Sequence, residues 1–179
     1  MQALEPFDLI LFGATGDLSM RKLLPALYRR HRAEQLPDNG RIIATARSEI
    51  DREAFVQSVY ANFSERLDAE ELNQNDWQSF AERLHFVSID ATAPRGFDEL
   101  AACLDGREQC TRVFFLAVAP AHFVAICENL EHHNLVSDRS RVVLEKPLGH
   151  DLASAKAISE RIGAIFAEDA IYRIDHYLG

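Results

Sequence analysis

The 179-residue sequence is 47% apolar and 26% charged with a net charge of −9. That composition is too rich in hydrophobes for disorder, and its acidic balance argues against a broad nucleic-acid surface. The longest apolar run, residues 113–121, is strand-length and contains Pro120, so no membrane span is expected. Three cysteines (Cys103, Cys110, Cys127) make no Cys-x-x-Cys pair and no basic leader precedes an apolar stretch, which fits a reducing, cytoplasmic setting without disulfides or zinc.

The first element is a buried strand, Leu9 to Phe12. It breaks at Gly13-Ala14-Thr15-Gly16 and runs into a segment where Met20, Leu23, Leu24, Leu27 and Tyr28 share one helical face. After the breaker-rich turn Leu36–Gly40 comes a second strand, Arg41 to Ala46, ending at Arg47. A helix carrying Phe55, Val56, Val59, Tyr60 and Phe63 follows, then another over about Ala69 to Arg83. The third strand is read over His85–Asp90 and the next helix over Phe97–Leu104. Thr111 to Val118 is the fourth strand. Pro120 opens a helix with Phe123, Ile126, Cys127 and Leu130 on its buried face, a position where the missing N–H costs nothing. Arg141–Leu144 is a fifth strand, Asp151 caps the following helix, and Ala170–Ile174 is a sixth strand leading into Asp175-His176-Tyr177.

Apolar runs alternating with helical segments imply an α/β fold, a Rossmann-type doubly wound, mainly parallel sheet of about six strands with helices on both faces. Ligands of such sheets lie beyond the carboxyl ends of the strands. Four loops at that edge carry candidate chemistry. The glycine turn lets a ligand approach backbone and aims helix N–H groups at a phosphate. Asp17 is a poor phosphate ligand and reads as a helix cap or first-turn acid. Arg47 stands where an acidic residue would read the ribose of NAD and an arginine the 2′-phosphate of NADP; a solvated surface arginine is nearly as good a reading. Lys146 in Glu145-Lys146-Pro147 sits at a strand end before a proline whose bond could be cis. Asp175, His176 and Tyr177 offer a proton acceptor, an imidazole and a hydroxyl. The other histidines, His122 among them, read as structural or solvated, and Cys103 and Cys127 as core.

Taken together these loops resemble the amino-terminal domain of the glucose-6-phosphate dehydrogenase family. The likeness rests on Gly13-Ala-Thr-Gly-Asp-Leu18 with Arg21-Lys22, Thr45-Ala-Arg47, Phe115-Leu-Ala-Val118, Glu145-Lys-Pro-Leu-Gly149 and Tyr172-Arg-Ile-Asp-His-Tyr-Leu-Gly179, in the family's order. The resemblance implies an NADP cofactor whose pyrophosphate lies on Gly13, Ala14, Thr15, Gly16, Asp17 and Leu18. Arg47 would hold the 2′-phosphate, and Asp90 and Ala91 would line the adenosine side. Lys146 would touch both nicotinamide and sugar, His176 and Tyr177 would bind the phosphate of glucose 6-phosphate, and Asp175 would orient the family's catalytic histidine. That histidine and the family's dimer interface belong to a carboxy-terminal α+β domain. The expectation is therefore that residues 1–179 form the dinucleotide-binding domain, monomeric and inactive alone, of an enzyme that is a homo-oligomer when whole.

Two other readings fit less of the chain. A glucose–fructose type oxidoreductase shares the Glu-Lys-Pro loop, yet usually has Gly-x-Gly-x-x-Gly where this sequence has Ser19 in place of the third glycine. A non-catalytic NADP sensor would leave Asp175-His176-Tyr177 unexplained.

Overall fold

The computed structural model describes residues 5–91 and 93–175. Six strands form one sheet: β1 (Phe7–Phe12), β2 (Arg41–Ala46), β3 (Leu84–Ser88), β4 (Thr111–Leu116), β5 (Ser140–Glu145) and β6 (Ile171–Ile174). Their order is β3-β2-β1-β4-β5-β6, and every neighbouring pair is parallel. The order reverses between β2 and β4 around β1, so loops diverge at the carboxyl ends of those strands and open a crevice there.

The helices are α1 (Leu24–Arg32), α2 (Arg52–Ser64), α3 (Gln74–Glu82), α4 (Phe97–Leu104), α5 (Phe123–His132) and α6 (Leu152–Gly163). A strand buried on both faces sends alternate side chains to opposite cores. Leu11, Ile42 and Ala44 therefore pack with Tyr28 of α1, Phe55, Val59 and Phe63 of α2, and Trp77 and Phe80 of α3. Ile10, Phe12, Phe114 and Val142 pack on the other face with Leu100 of α4, Ile126 and Leu130 of α5, and Ile162 of α6. Each fully buried aromatic or leucine here contributes on the order of 2 kcal/mol over exposure.

Several boundaries differ from the sequence reading, each for a local reason. The helix expected from Ala69 begins at Gln74, because Asn73 caps it by accepting from the Asp76 amide (3.0 Å) while Asp68 accepts from the Glu71 amide and closes a separate turn. Strand β4 stops at Leu116. Ala117 donates to the Phe12 carbonyl as the last rung, and Ala117 and Val118 lie beyond the strand. Strand β3 spans Leu84–Ser88, with Ile89 tied to the Ala46 carbonyl beyond it. The first helix opens with a π-helical stretch, Ser19–Leu23, that has no side-chain cap; Asp17 does not cap it and instead faces Arg21 one turn on at 3.4 Å. Asp151 does cap α6, in a reciprocal box with Ser154.

Charge at the amino-terminal edge of the sheet is satisfied internally. Asp8 is fully buried and accepts from Arg41 (2.7 Å) and Arg107 (3.0 Å). Arg112, also buried, donates to the Leu135 and Leu104 carbonyls. His31 on α1 lies between the Ser79 hydroxyl (2.8 Å) and the Arg83 guanidinium, which donates to Nδ1 (3.1 Å). An Nδ1 that accepts leaves the proton on Nε2, so the folded state holds a neutral ring. Burial first, then the Arg83 charge, push its pKa below the ordinary histidine value. The unfolded chain therefore binds a proton that the folded chain refuses. His31's contribution to stability is present above about pH 6.5 and falls as the pH drops from there towards the lower folded value. Urea unfolding between pH 7 and 5.5 is expected to show this decline, and His31→Gln to make it shallower. His85, held down by burial and by Arg41, leaves a residual slope in the variant.

Candidate functional site

The glycine turn is built by four hydrogen bonds, two to the neighbouring strand and two onto its own first carbonyl. The amides of Gly13 and Ala14 both donate to the Thr45 carbonyl of β2 (3.0 Å each). The Gly13 carbonyl accepts from the Gly16 amide (3.0 Å) and from the buried Ser19 hydroxyl (2.9 Å). Gly13 has φ +81°, and a Cβ placed there would overlap the Ala117 carbonyl oxygen and lie 2.9 Å from Val118 Cγ1. Only glycine meets both demands, a left-handed backbone and close passage of β4. Among the described residues, none accepts from the amides of Thr15, Asp17 and Leu18. Three backbone donors at the start of a helix, beside a turn that no Cβ obstructs, suit a pyrophosphate.

Two cavities flank this turn. The first, about 290 Å³, is lined by Gly13, Thr15 and Gly16, by Arg47 after β2, by Asp90 and Ala91 after β3, and by Val118, Ala119 and His122 after β4. The second, about 470 Å³, lies over β5 and is lined by Leu18, Lys22, Val118, Pro120, Glu145, Lys146 and Pro147. Val118 belongs to both walls. The Lys146-Pro147 bond is cis. The Lys146 amide donates to the Ile174 carbonyl (2.9 Å), which joins this loop to the end of β6.

The residues singled out from sequence fall into groups. Gly13, Thr15, Gly16, Arg47, Asp90 and Ala91 are brought together around the first cavity, and Leu18 and Lys146 around the second. Ala14 turns its side chain into the core under α1, so only its backbone faces the turn. Asp17 is exposed on the outer side of the turn and lines neither cavity. Asp175 directly follows β6; His176 and Tyr177 lie outside the described residues. Arg47 is exposed and makes no hydrogen bond or ion pair among the described residues, unlike Arg41 at the other end of the same strand. The sequence reading missed His122, which lines the first cavity at the end of a 3-10 turn, Pro120–His122. It also passed over Lys22 and Glu145 as lining residues.

A parallel 3-2-1-4-5-6 sheet with an unobstructed glycine turn after β1, at its switch point, defines a Rossmann-type nucleotide-binding domain. Comparison with known proteins narrows the class. The chain belongs to the glucose-6-phosphate dehydrogenase family: residues 10–179 match the family described as "Glucose-6-phosphate dehydrogenase, NAD binding domain". The glucose-6-phosphate 1-dehydrogenase of Rhizobium meliloti is 43% identical over 175 residues, which cover 98% of this chain and 36% of that protein. The crystal structure of the Mycobacterium avium enzyme superposes with a TM-score of 0.87 at 32% identity, covering 98% of this chain and 37% of that one. A glucose-6-phosphate dehydrogenase in complex with its substrate glucose 6-phosphate gives 0.85 at 31% identity, covering 99% and 38%. The chain thus spans little more than a third of the length of these relatives.

Gly13→Ala is the substitution the turn should tolerate least. It puts a side chain at positive φ and against backbone, so a loss of about 2–4 kcal/mol in urea unfolding is expected. Gly16→Ala meets only the Gly13 carbonyl at 3.1 Å and should cost much less.

Proposed function

We propose that this chain is the NADP-binding domain of a glucose-6-phosphate dehydrogenase. The observation that carries the reading is Arg47: an exposed guanidinium with no protein partner among the described residues, lining the glycine-turn cavity at the end of β2. An acidic side chain there would suit the ribose 2′-hydroxyl of NAD; a planar, permanently charged fork suits the 2′-phosphate of NADP. The turn residues Gly13 to Leu18 would hold the pyrophosphate, and Asp90 and Ala91 the adenosine side. Lys146 would face the nicotinamide end, across the wall that the two cavities share at Val118.

When bound, the dinucleotide would supply a hydride acceptor for C1 of glucose 6-phosphate, whose C1 hydroxyl proton would pass to a base so that 6-phosphogluconolactone is formed. The chain's own residues prepare that step. The Lys146 ammonium, a compact charge on a loop tied to β6, would position the sugar against the cofactor and favour anionic oxygen. His176 and Tyr177 would take the sugar phosphate, and Asp175 would orient the proton-accepting histidine. That histidine is not among these 179 residues in the family resemblance. We therefore infer that residues 1–179 bind cofactor without turnover, and that the proton-accepting histidine, the remaining substrate contacts and the dimer contacts come from the rest of the family's architecture.

Calorimetric titration of the chain with NADP and with NAD tests this reading, repeated for Arg47→Ala. NADP should bind more tightly than NAD. The substitution should weaken NADP about 10- to 100-fold, the scale of one or two charge-assisted hydrogen bonds, while leaving NAD within about twofold. Adding glucose 6-phosphate to the NADP-loaded chain should form no NADPH. Equal losses for both dinucleotides would remove Arg47 from the 2′-phosphate, and an active chain would overturn the division of labour.

A further inference from the structure

We propose that His122 contacts the phosphate-bearing part of the dinucleotide and makes its affinity depend on pH, rising as the imidazole gains a proton. The inference rests on the reading of the first cavity as the cofactor site and adds a regulation of that site. His122 is the single imidazole lining this cavity among the described residues. Its backbone is fixed: Pro120 begins the 3-10 turn, and the His122 amide donates to the Ala119 carbonyl (3.0 Å). The next residue, Phe123, is fully buried in the core beneath α5. Core packing of Phe123 thus anchors the neighbouring His122 in the wall of the cavity that Gly13 and Gly16 also line.

The charges around His122 come from every strand end that borders the site. Arg47 after β2 and Asp90 after β3 line the same cavity. Asp17, paired with Arg21, stands on the outer side of the turn. Glu145, Lys146 and Lys22 lie round the adjoining cavity beyond Val118. A dinucleotide brings two or more negative charges into this setting. An imidazolium beside them gains attraction that a neutral ring lacks, so ligand and proton bind with positive coupling. The reciprocal effect follows: bound ligand should raise the ring's own titration midpoint.

Two measurements on this chain test the proposal. Calorimetric affinity for NADP at pH 5.5, 6.5 and 7.5 is compared between the unaltered chain and His122→Gln. The ligand's 2′-phosphate itself ionises near pH 6, but that contribution is common to both proteins and leaves their ratio. The unaltered chain should exceed the variant by about three- to tenfold at pH 5.5, with the advantage shrinking to about twofold or less at pH 7.5. Independently of any variant, NMR titration of the histidine ring carbons should show one imidazole, absent from the His122→Gln spectrum, moving to higher pH when NADP saturates. A ratio that does not change with pH, or a ring whose titration NADP leaves unmoved, overturns the role of His122 while the cofactor reading stands. If the chain binds no NADP at any pH, both fall.

Discussion

The passage of Gly13 against the end of β4 is the constraint on which the site depends. At φ +81° the turn brings its backbone onto Ala117 and Val118, with no room for a Cβ. Two donors, the Gly16 amide and the Ser19 hydroxyl, converge on its carbonyl and two of its amides converge on Thr45, so the turn is tied to β2 on one side and to the start of its own helix on the other. The amides of Thr15, Asp17 and Leu18 inherit their direction from that arrangement. They are presented by a rigid backbone and need no reorganisation to meet a ligand, which is what makes a glycine turn more than a flexible loop. Ser19 performs part of the role that a third glycine has in related turns. A glycine would let helix and strand approach; here a buried hydroxyl pins the carbonyl from inside.

The two edges of the sheet use charge in opposite ways. At the amino-terminal edge, Asp8 lies fully buried between Arg41 and Arg107, Arg112 donates to backbone carbonyls, and Arg83 donates to backbone carbonyls and to His31. Buried charge without such partners would cost several kcal/mol per ion, so these groups are committed to the fold. At the carboxyl edge, Arg47 lacks a protein partner among the described residues and borders a cavity. Arg41 and Arg47 begin and follow the same strand. Their difference lies in what the fold provides around each, and it separates a structural cation from one available to an anion.

Much of this was readable before the structure because the strong signals are local. A strand, a glycine turn and a periodic helix in succession need no tertiary information, and the handedness of parallel crossovers then restricts the sheet. The six strands and their helices follow from such patterns, with ends displaced where polar side chains closed turns, as Asp68 and Asn73 did before α3. The lining of the two cavities was legible where a residue type is unusual for its place: glycine after a buried strand, arginine at the end of β2, lysine before proline. His122 carried no such mark. It follows a proline at a helix start, a common place for a solvated residue. Only the end of β4 at Leu116, together with the burial of Phe123, places His122 in the wall of the glycine-turn cavity. The π-helical opening of the first helix was hidden for the same reason, because its apolar positions suit either winding.

On the proposed function, the second cavity and the strand end beside it show how few bonds position the groups that would face the sugar. Lys146 directly follows β5 and Asp175 directly follows β6, and these strands pair in register from Val142–Ile171 to Glu145–Ile174. The ladder does not stop at the last pair: the Lys146 amide continues it onto the Ile174 carbonyl. Lys146 and Asp175 are thus adjacent through main chain, whatever their side chains do. β6 is the outermost strand, and among the described residues its ladder is with β5 alone. A displacement of β6 would therefore move Asp175 and, through that single added bond, the loop of Lys146 with it. On the proposed function, the cofactor turn takes its rigidity from the centre of the sheet, while the sugar-facing groups are set by its edge. The alignment between cofactor and sugar then depends on the β4–β5 pairing, and on Val118, which walls both cavities.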